Sequence, residues 1–339
     1  MVLDNTRQVR CLLTAAFMMC SVGLAQAADQ IRVAAAAINI AHGPVALIAA
    51  DPMIFADKGL TLKLTDLHGQ SPNCIAALLS KAADLCQVGT TTGTDAIAEG
   101  ADLVAIAAVS GPNAEVILSA DSVAKLGVAA NAPINDRIRA LKGLRLVTSA
   151  PGSAIYTLTD AMLQTVGLSI ADVKYRTLAE VPAMIESIRN NQIDGAVWVI
   201  GSLAPLLVEG KGVRWISLAR GDVEKYSGLP FVTVFARRDW AEANPELVSR
   251  IQAAYAEAIR RLRDNPETSS RLIKDKFFPD MEQALWDDGY AQAREAFLNG
   301  AKTNAKAWAQ FLDLQAISSQ KDYGPAAFDR VVIGAARAE

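Results

Sequence analysis

The sequence predicts an α/β fold of two strand–helix sets followed by helices without strands. Three observations predict it. Short apolar, β-branched runs alternate with helical-period segments twice, across 31–109 and again across 144–218, which is the pattern of parallel sheets with helices on both faces. Extended runs at 116–119 and 231–236 separate the sets from each other and from the C-terminal part of the chain. From Asn244-Pro245 onward only helical periodicity remains, starting with the stripe Leu247, Ile251, Ala254, Tyr255, Ala258, Ile259 and Leu262.

The bulk numbers fit this reading. The 339 residues, 51% of them hydrophobic, can fill two domains with large cores. A net charge of −3 and the lack of a basic stripe argue against a nucleic-acid partner. Residues 1–27 read as a cleaved secretory signal: Arg7 and Arg10, then the uncharged apolar run 11–20, then Ala25-Gln26-Ala27. That run is short for a membrane span of about 20 residues. Phe17-Met18-Met19-Cys20 is a poor lipoprotein box, so no lipid anchor is expected, and the mature chain starts near Ala28. Cys74 and Cys86 then remain. The first is read at a helix start and the second in the following strand, with the chain reversing between them, so two buried free thiols are expected.

The elements come in this order. Strands are expected at 31–37, 60–64, 85–88 and 103–109, with a helix opening at Pro44 and another over 73–81. Gly89-Thr90-Thr91-Thr92-Gly93-Thr94 reads as a polar loop before a short helix at 95–99, and 121–138 as polar and irregular. The stretch 141–168 organises the second set. Residues 144–148 form a strand, Ala150-Pro151-Gly152 breaks it, Ser153 caps, and Leu158, Met162 and Val166 recur at helical spacing. A helix N-terminus there leaves free N–H donors that favour an anionic or acceptor-rich group. Strands at 173–176, 193–199 and 213–218 complete the set, with helices at 181–190 and 203–209. Helices at 245–264, 266–276, 283–297 and 303–312 come next, and the tail after 320 is weakly patterned.

Several local patterns now line up. Phe55-Ala56-Asp57-Lys58-Gly59-Leu60, the segment from Ala76 through Ala83-Asp84-Leu85, and Gly100-Ala101-Asp102-Leu103 belong to the first set. Leu141-Lys142-Gly143-Leu144, Pro151-Gly152-Ser153-Ala154 and Ile193-Asp194-Gly195-Ala196 belong to the second. In this order and spacing the chain resembles the nitrate/sulfonate/taurine-type substrate-binding proteins of ABC importers, over roughly residues 30–315. The resemblance implies a two-lobed type II periplasmic-binding-protein architecture with C-terminal helices. Lobe one would be discontinuous, 28–118 plus 231–339, and lobe two would be 119–230, with the extended runs at 116–119 and 231–236 as hinge crossings. It further implies a periplasmic monomer that holds a small-molecule ligand between the lobes, closes about the hinge and delivers it to ABC permease subunits.

In such sheets ligands sit at the carboxyl ends of the strands. Lobe one should therefore offer Asn39, His42, Gln70, Ser71, Thr90, Thr91 and Thr92, and lobe two Ser149, Gly152, Ser153, Ala154 and Trp198. Trp198 either stacks on a planar ligand or packs in the core. No arginine sits in these loops, so a bidentate clamp on sulfonate or carboxylate is not visible. The solute is a small anion held by backbone donors and hydroxyls, or a planar organic molecule. No metal site or cofactor is expected, since His42 and His68 lack cysteines or a carboxylate cluster beside them. An enzyme on the same fold is the rival class, but the loops hold no Cys-His pair, Ser-His-acid set or paired carboxylates. A sensor delivering ligand state to a membrane receptor fits the sequence equally with an importer subunit.

Overall fold

Each strand–helix set closes into its own five-stranded sheet. The computed structural model describes residues 28–151, 153–178, 180–319 and 321–339, so the expected signal at 1–27 lies outside the described residues. The strands are β1 (Asp29–Ala35), β2 (Leu60–Asp66), β3 (Leu85–Gly89), β4 (Leu103–Ser110), β5 (Ala114–Ser119), β6 (Arg145–Thr148), β7 (Lys174–Thr177), β8 (Gly195–Val199), β9 (Gly212–Ser217) and β10 (Val232–Arg237). The helices of the two sets are α1 (Gly43–Ala50), α2 (Met53–Ala56), α3 (Ser71–Leu79), α4 (Thr90–Ala98), α5 (Ala120–Leu126), α6 (Ile134–Arg139), α7 (Ala154–Gln164), α8 (Val181–Arg189) and α9 (Ala204–Val208). The C-terminal helices are α10 (Arg238–Ala243), α11 (Pro245–Asp264), α12 (Pro266–Phe277), α13 (Gln283–Ala296), α14 (Ala305–Ser319) and α15 (Phe328–Val331).

The first sheet has the order β2-β1-β3-β10-β4 and the second β7-β6-β8-β5-β9. β10 runs antiparallel to both neighbours in the first sheet, and β5 does the same in the second. The run at 116–119, expected as a crossing, is thus a strand of the second sheet, and so are Ala114 to Leu118, which the sequence reading assigned to lobe one. The chain passes between the sheets at 111–113 and 228–231, just before the two antiparallel strands. The sequence could not show this, because a buried strand and an extended connection share the same apolar pattern.

One device fixes both sheets. Asp84 accepts from the Arg32 backbone N–H at 2.9 Å and from its guanidinium, tying the start of β3 to β1. Asp194 accepts from the Arg145 backbone N–H at 2.7 Å and from its guanidinium, tying the start of β8 to β6. The aspartates of the Ala83-Asp84-Leu85 and Ile193-Asp194-Gly195 motifs therefore lock the third strand of each set to the first. Charge-assisted bonds of this kind are the stronger ones.

The first sheet is covered on both faces, as parallel sheets usually are. Ile31, Val33 and Ala35 face a core shared with α1, α11 and α13, while Ala34, Cys86 and Val88 face α3 and α14. The α11 stripe fills the first of these cores, with Ile251, Tyr255, Ile259 and Leu262 buried. The weakly patterned tail is ordered by packing. Val331 and Val332 are buried, and Val332 bridges to Ala105 alongside β4. The segment expected to be irregular at 121–138 carries α5 and α6.

Cys74 and Cys86 are disulfide-bonded, with Cα atoms 5.6 Å apart, which corrects the expectation of free thiols. The chain reversal that seemed to separate them lays α3 back over the sheet with its first turns directly against β3. The bridge closes a loop of 12 residues, so the Cys74→Ala/Cys86→Ala variant should lose about 2–3 kcal/mol of stability. The urea midpoint of variant against parent checks this, and an unchanged midpoint would show that packing alone fixes α3.

Candidate functional site

The carboxyl ends of β1, β2 and β3 each run into a helix start. After β1, Asn39 caps the turn at 40–42, its Oδ1 accepting from the N–H groups of Ala41 (3.0 Å) and His42 (3.2 Å). After β2, Gln70 is exposed, and Ser71 opens α3. After β3, the segment Thr90–Thr94 is the first half of α4 rather than a loop. Threonine is a poor helix former, and this helix is held from outside. Thr90 is fully buried, with Oγ1 2.7 Å from Thr233 Oγ1. Thr94 Oγ1 lies 2.7 Å from Oε1 of Gln315 on α14, whose Nε2 donates to Thr91 O and Asp95 Oδ1. Tyr323 also donates to Asp95, at 2.5 Å.

In the second sheet, β6 runs into α7. Ser153 caps α7 by accepting from the Tyr156 N–H at 3.2 Å, and its hydroxyl bonds that of Ser149. Gly152 lies outside the described residues. Trp198, at the end of β8, is half-buried and packs beside the core formed by Met184, Ile188 and Leu203.

Two cavities collect the candidate residues. One, of about 530 Å³, is lined by Ser71, Thr91 and Thr92 from the first set and by Ser153 and Ala154 from the second. It also exposes Asp95 and Glu99, which Lys321 pairs at 3.5 and 2.7 Å. The other, of about 320 Å³, is a slot between Asn39 and Ile40 on one side and Trp198 to Ser202 on another. Its third wall is Phe278, Met281, Leu285, Trp286 and Gly289. These five residues escaped the sequence reading: Leu285, Trp286 and Gly289 lie on α13, where a residue facing a core and one facing a cavity look alike, and Phe278 and Met281 lie in the connection between α12 and α13. Both volumes lie in the range of small-molecule sites. Gln70, Thr90 and Ser149 line neither cavity.

His42 lines neither cavity either. Its ring is buried and its Nδ1 has no partner, as is also true of Oε1 of the neighbouring Gln87, whose Nε2 donates to His42 O at 3.2 Å. Burial lowers its pKa to about 4, against a smaller upward pull from Asp66, so the imidazole is neutral near pH 7.

Helix α13 joins the two halves behind the slot. Gly289 on α13 meets Gly201, whose φ is +77°, so closely that a Cβ on Gly201 would lie 3.1 Å from the Gly289 Cα. Glu115, fully buried on β5, accepts from the Gly201 N–H at 3.0 Å and from Arg214 Nε at 2.7 Å. Arg214 also reaches Asp288 on α13 at 2.6 Å. Ser217 donates to Gln292 of α13 at 3.0 Å. Burial pushes the Glu115 carboxyl up, and Arg214 pulls it back.

The periplasmic aliphatic sulphonate binding protein SsuA from Escherichia coli is similar in structure, with TM-score 0.67, 18% identity, and coverage of 85% of this chain and 91% of that one. A putative periplasmic sulfonate-binding protein from Methylobacillus flagellatus KT aligns at TM-score 0.70 and 16% identity, covering 91% and 92%. The periplasmic nitrate-binding protein NrtA from Synechocystis PCC 6803 aligns at 0.53 and 14%, covering 78% and 68%. No curated protein sequence matches the chain. The fold is thus that of the periplasmic binding proteins, as the sequence resemblance implied. The sequence itself matches a family description over residues 26–274, and the chain belongs to the NMT1-like family.

Proposed function

We propose that the chain is an extracytoplasmic solute-binding protein that captures a small organic solute, anionic or planar, between two lobes and delivers it to the permease of an ABC importer. The observation that carries this reading is that both cavities are walled by residues from both strand–helix sets. Ligand held there gains its full contacts only when the sets close on each other, so binding shifts an open–closed equilibrium. The lobes would turn about 111–113 and 228–231, where the chain passes between the sheets. The names of the structural neighbours, binding components for sulfonate and nitrate, support the importer role, and so does the expected signal at 1–27. The polar side chains among the candidates that line the cavities are hydroxyls, one amide and one indole, with no nucleophile–base pair among them, which supports binding rather than catalysis.

The test is a thermal-shift panel on the mature protein, with sulfonates, nitrate, aromatic acids, aromatic amides and pyrimidines. A solute at a hundred times its Kd should add about 2.7 kcal/mol of stability, and calorimetry should return one site per chain with the solute unchanged. No shift from any member, or turnover of one, would overturn the reading.

A further inference from the structure

The slot beside Trp198 carries more information than its volume. Resting on the solute-binding reading above, we infer that this slot is where the ligand sits, and that it takes an uncharged planar aromatic solute and rejects anions.

The walls argue for a flat apolar body. Trp198, Phe278, Met281, Leu285 and Trp286 surround it. Trp286 is held rigidly, since its indole N–H donates to Ser270 at 2.6 Å and its ring leans on Phe278 with centroids 5.2 Å apart. Aromatic walls that are already fixed lose little freedom when a ring enters, and offset or edge contacts reward a planar guest. The polar groups at the mouth are neutral. Asn39 has spent its oxygen on capping, so it has amide N–H donors left, and Ser202 adds a hydroxyl. These suit a carbonyl oxygen or a ring nitrogen.

The charges argue against an anion. Neither Lys nor Arg occurs among the described residues lining the slot. Behind the Gly201–Gly289 wall, the Arg214 guanidinium is bound to both Glu115 and Asp288. Two carboxylates against one guanidinium leave no spare positive charge, whichever protonation state Glu115 adopts. An anion pushed into the slot would lose water and gain no counter-charge. The hydroxyl-lined cavity is acidic on balance, because the single Lys321 is shared between its two carboxylates, Asp95 and Glu99. The sulfonate- and nitrate-binding neighbours named above share the fold, and this slot departs from the anion chemistry in their names.

The experiment compares four probes of nearly one shape: benzamide, benzoate, benzenesulfonate and benzamidine, titrated into the mature protein by calorimetry and by quenching of tryptophan fluorescence. Benzamide should bind at least tenfold tighter than any charged probe. Trp198→Ala should weaken it about tenfold, and Met281→Trp, at an exposed slot residue, should abolish it. Glu99→Gln, at an exposed residue of the other cavity, should change it less than threefold. A charged probe that binds as tightly as benzamide, silence from all four, or dependence on Glu99 but not on Met281 overturns the inference. Silence here together with a hit elsewhere in the solute panel sinks this inference alone. Silence in both sinks the solute-binding reading as well.

Discussion

Replacing Arg214 by methionine will destabilise the protein by about 3–5 kcal/mol, the cost of stranding buried carboxylates. The guanidinium is 15% exposed and is the partner of Glu115, which is fully buried, and of Asp288, which is 25% exposed. Methionine fills the stem volume but supplies no charge, so the loss comes from the stranded charges rather than from a void. Glu115→Gln should cost far less, because its amide oxygen can still accept from the Gly201 N–H. The deficit of Arg214→Met should also shrink in mild acid, since burial already pushes the Glu115 carboxyl up and protonation removes the stranded charge. Urea unfolding at pH 7.5 and pH 5 measures both effects. A loss under about 1 kcal/mol would place the network among weak surface pairs.

The second large effect is a pH dependence carried by His42. The folded pKa is about 4 and the ordinary one 6.5, because burial disfavours the imidazolium. Between these values the unfolded chain takes up a proton that the native protein refuses. Stability is therefore complete above pH 6.5 and falls as the pH drops toward 4. That lowering is worth about 3 kcal/mol. His42→Phe keeps a ring in the site and should flatten the stability–pH curve across this window by about one proton. Glu257 supplies an internal comparison. Arg260 and Arg261 hold its pKa at about 2, so its contribution is present above the ordinary carboxylate value and is lost only below it, on the acid side of the His42 window. An unchanged slope in His42→Phe would assign the pH sensitivity to other groups.

The parts of the fold that were legible are those written in local patterns. The all-apolar run of β4 and the alternation of β2 announce a strand buried on both faces and a half-exposed strand directly. The parts that were not legible depend on distant partners. Thr90–Thr94 reads as a loop because threonine prefers caps and turns, yet Gln315, 221 residues away from Thr94, satisfies its polar groups in a helix. The Cys74–Cys86 bridge needs the crossover geometry of α3 over β3. Strand-end reasoning named Asn39, Ser71, Thr91, Thr92, Ser153, Ala154 and Trp198, which line one cavity or the other, and His42, Gln70, Thr90 and Ser149, which line neither. It could not divide them between two cavities. Nor could it find Phe278, Met281 and Trp286, which reach the slot from outside either strand–helix set.

The antiparallel strand β10 has a consequence for how the chain folds. It lies between β3 and β4, pairing with both, yet it enters the sequence only after the whole second sheet. Until residue 237 is available, β3 and β4 present bare edges to each other across a missing strand, and the first core cannot close. Non-local pairing of this kind slows folding, and open edges invite intermolecular pairing. The second sheet, complete once β9 has emerged, should mature first. A chain stopped before β10 would be a half-assembled, adhesive species rather than a smaller version of the protein.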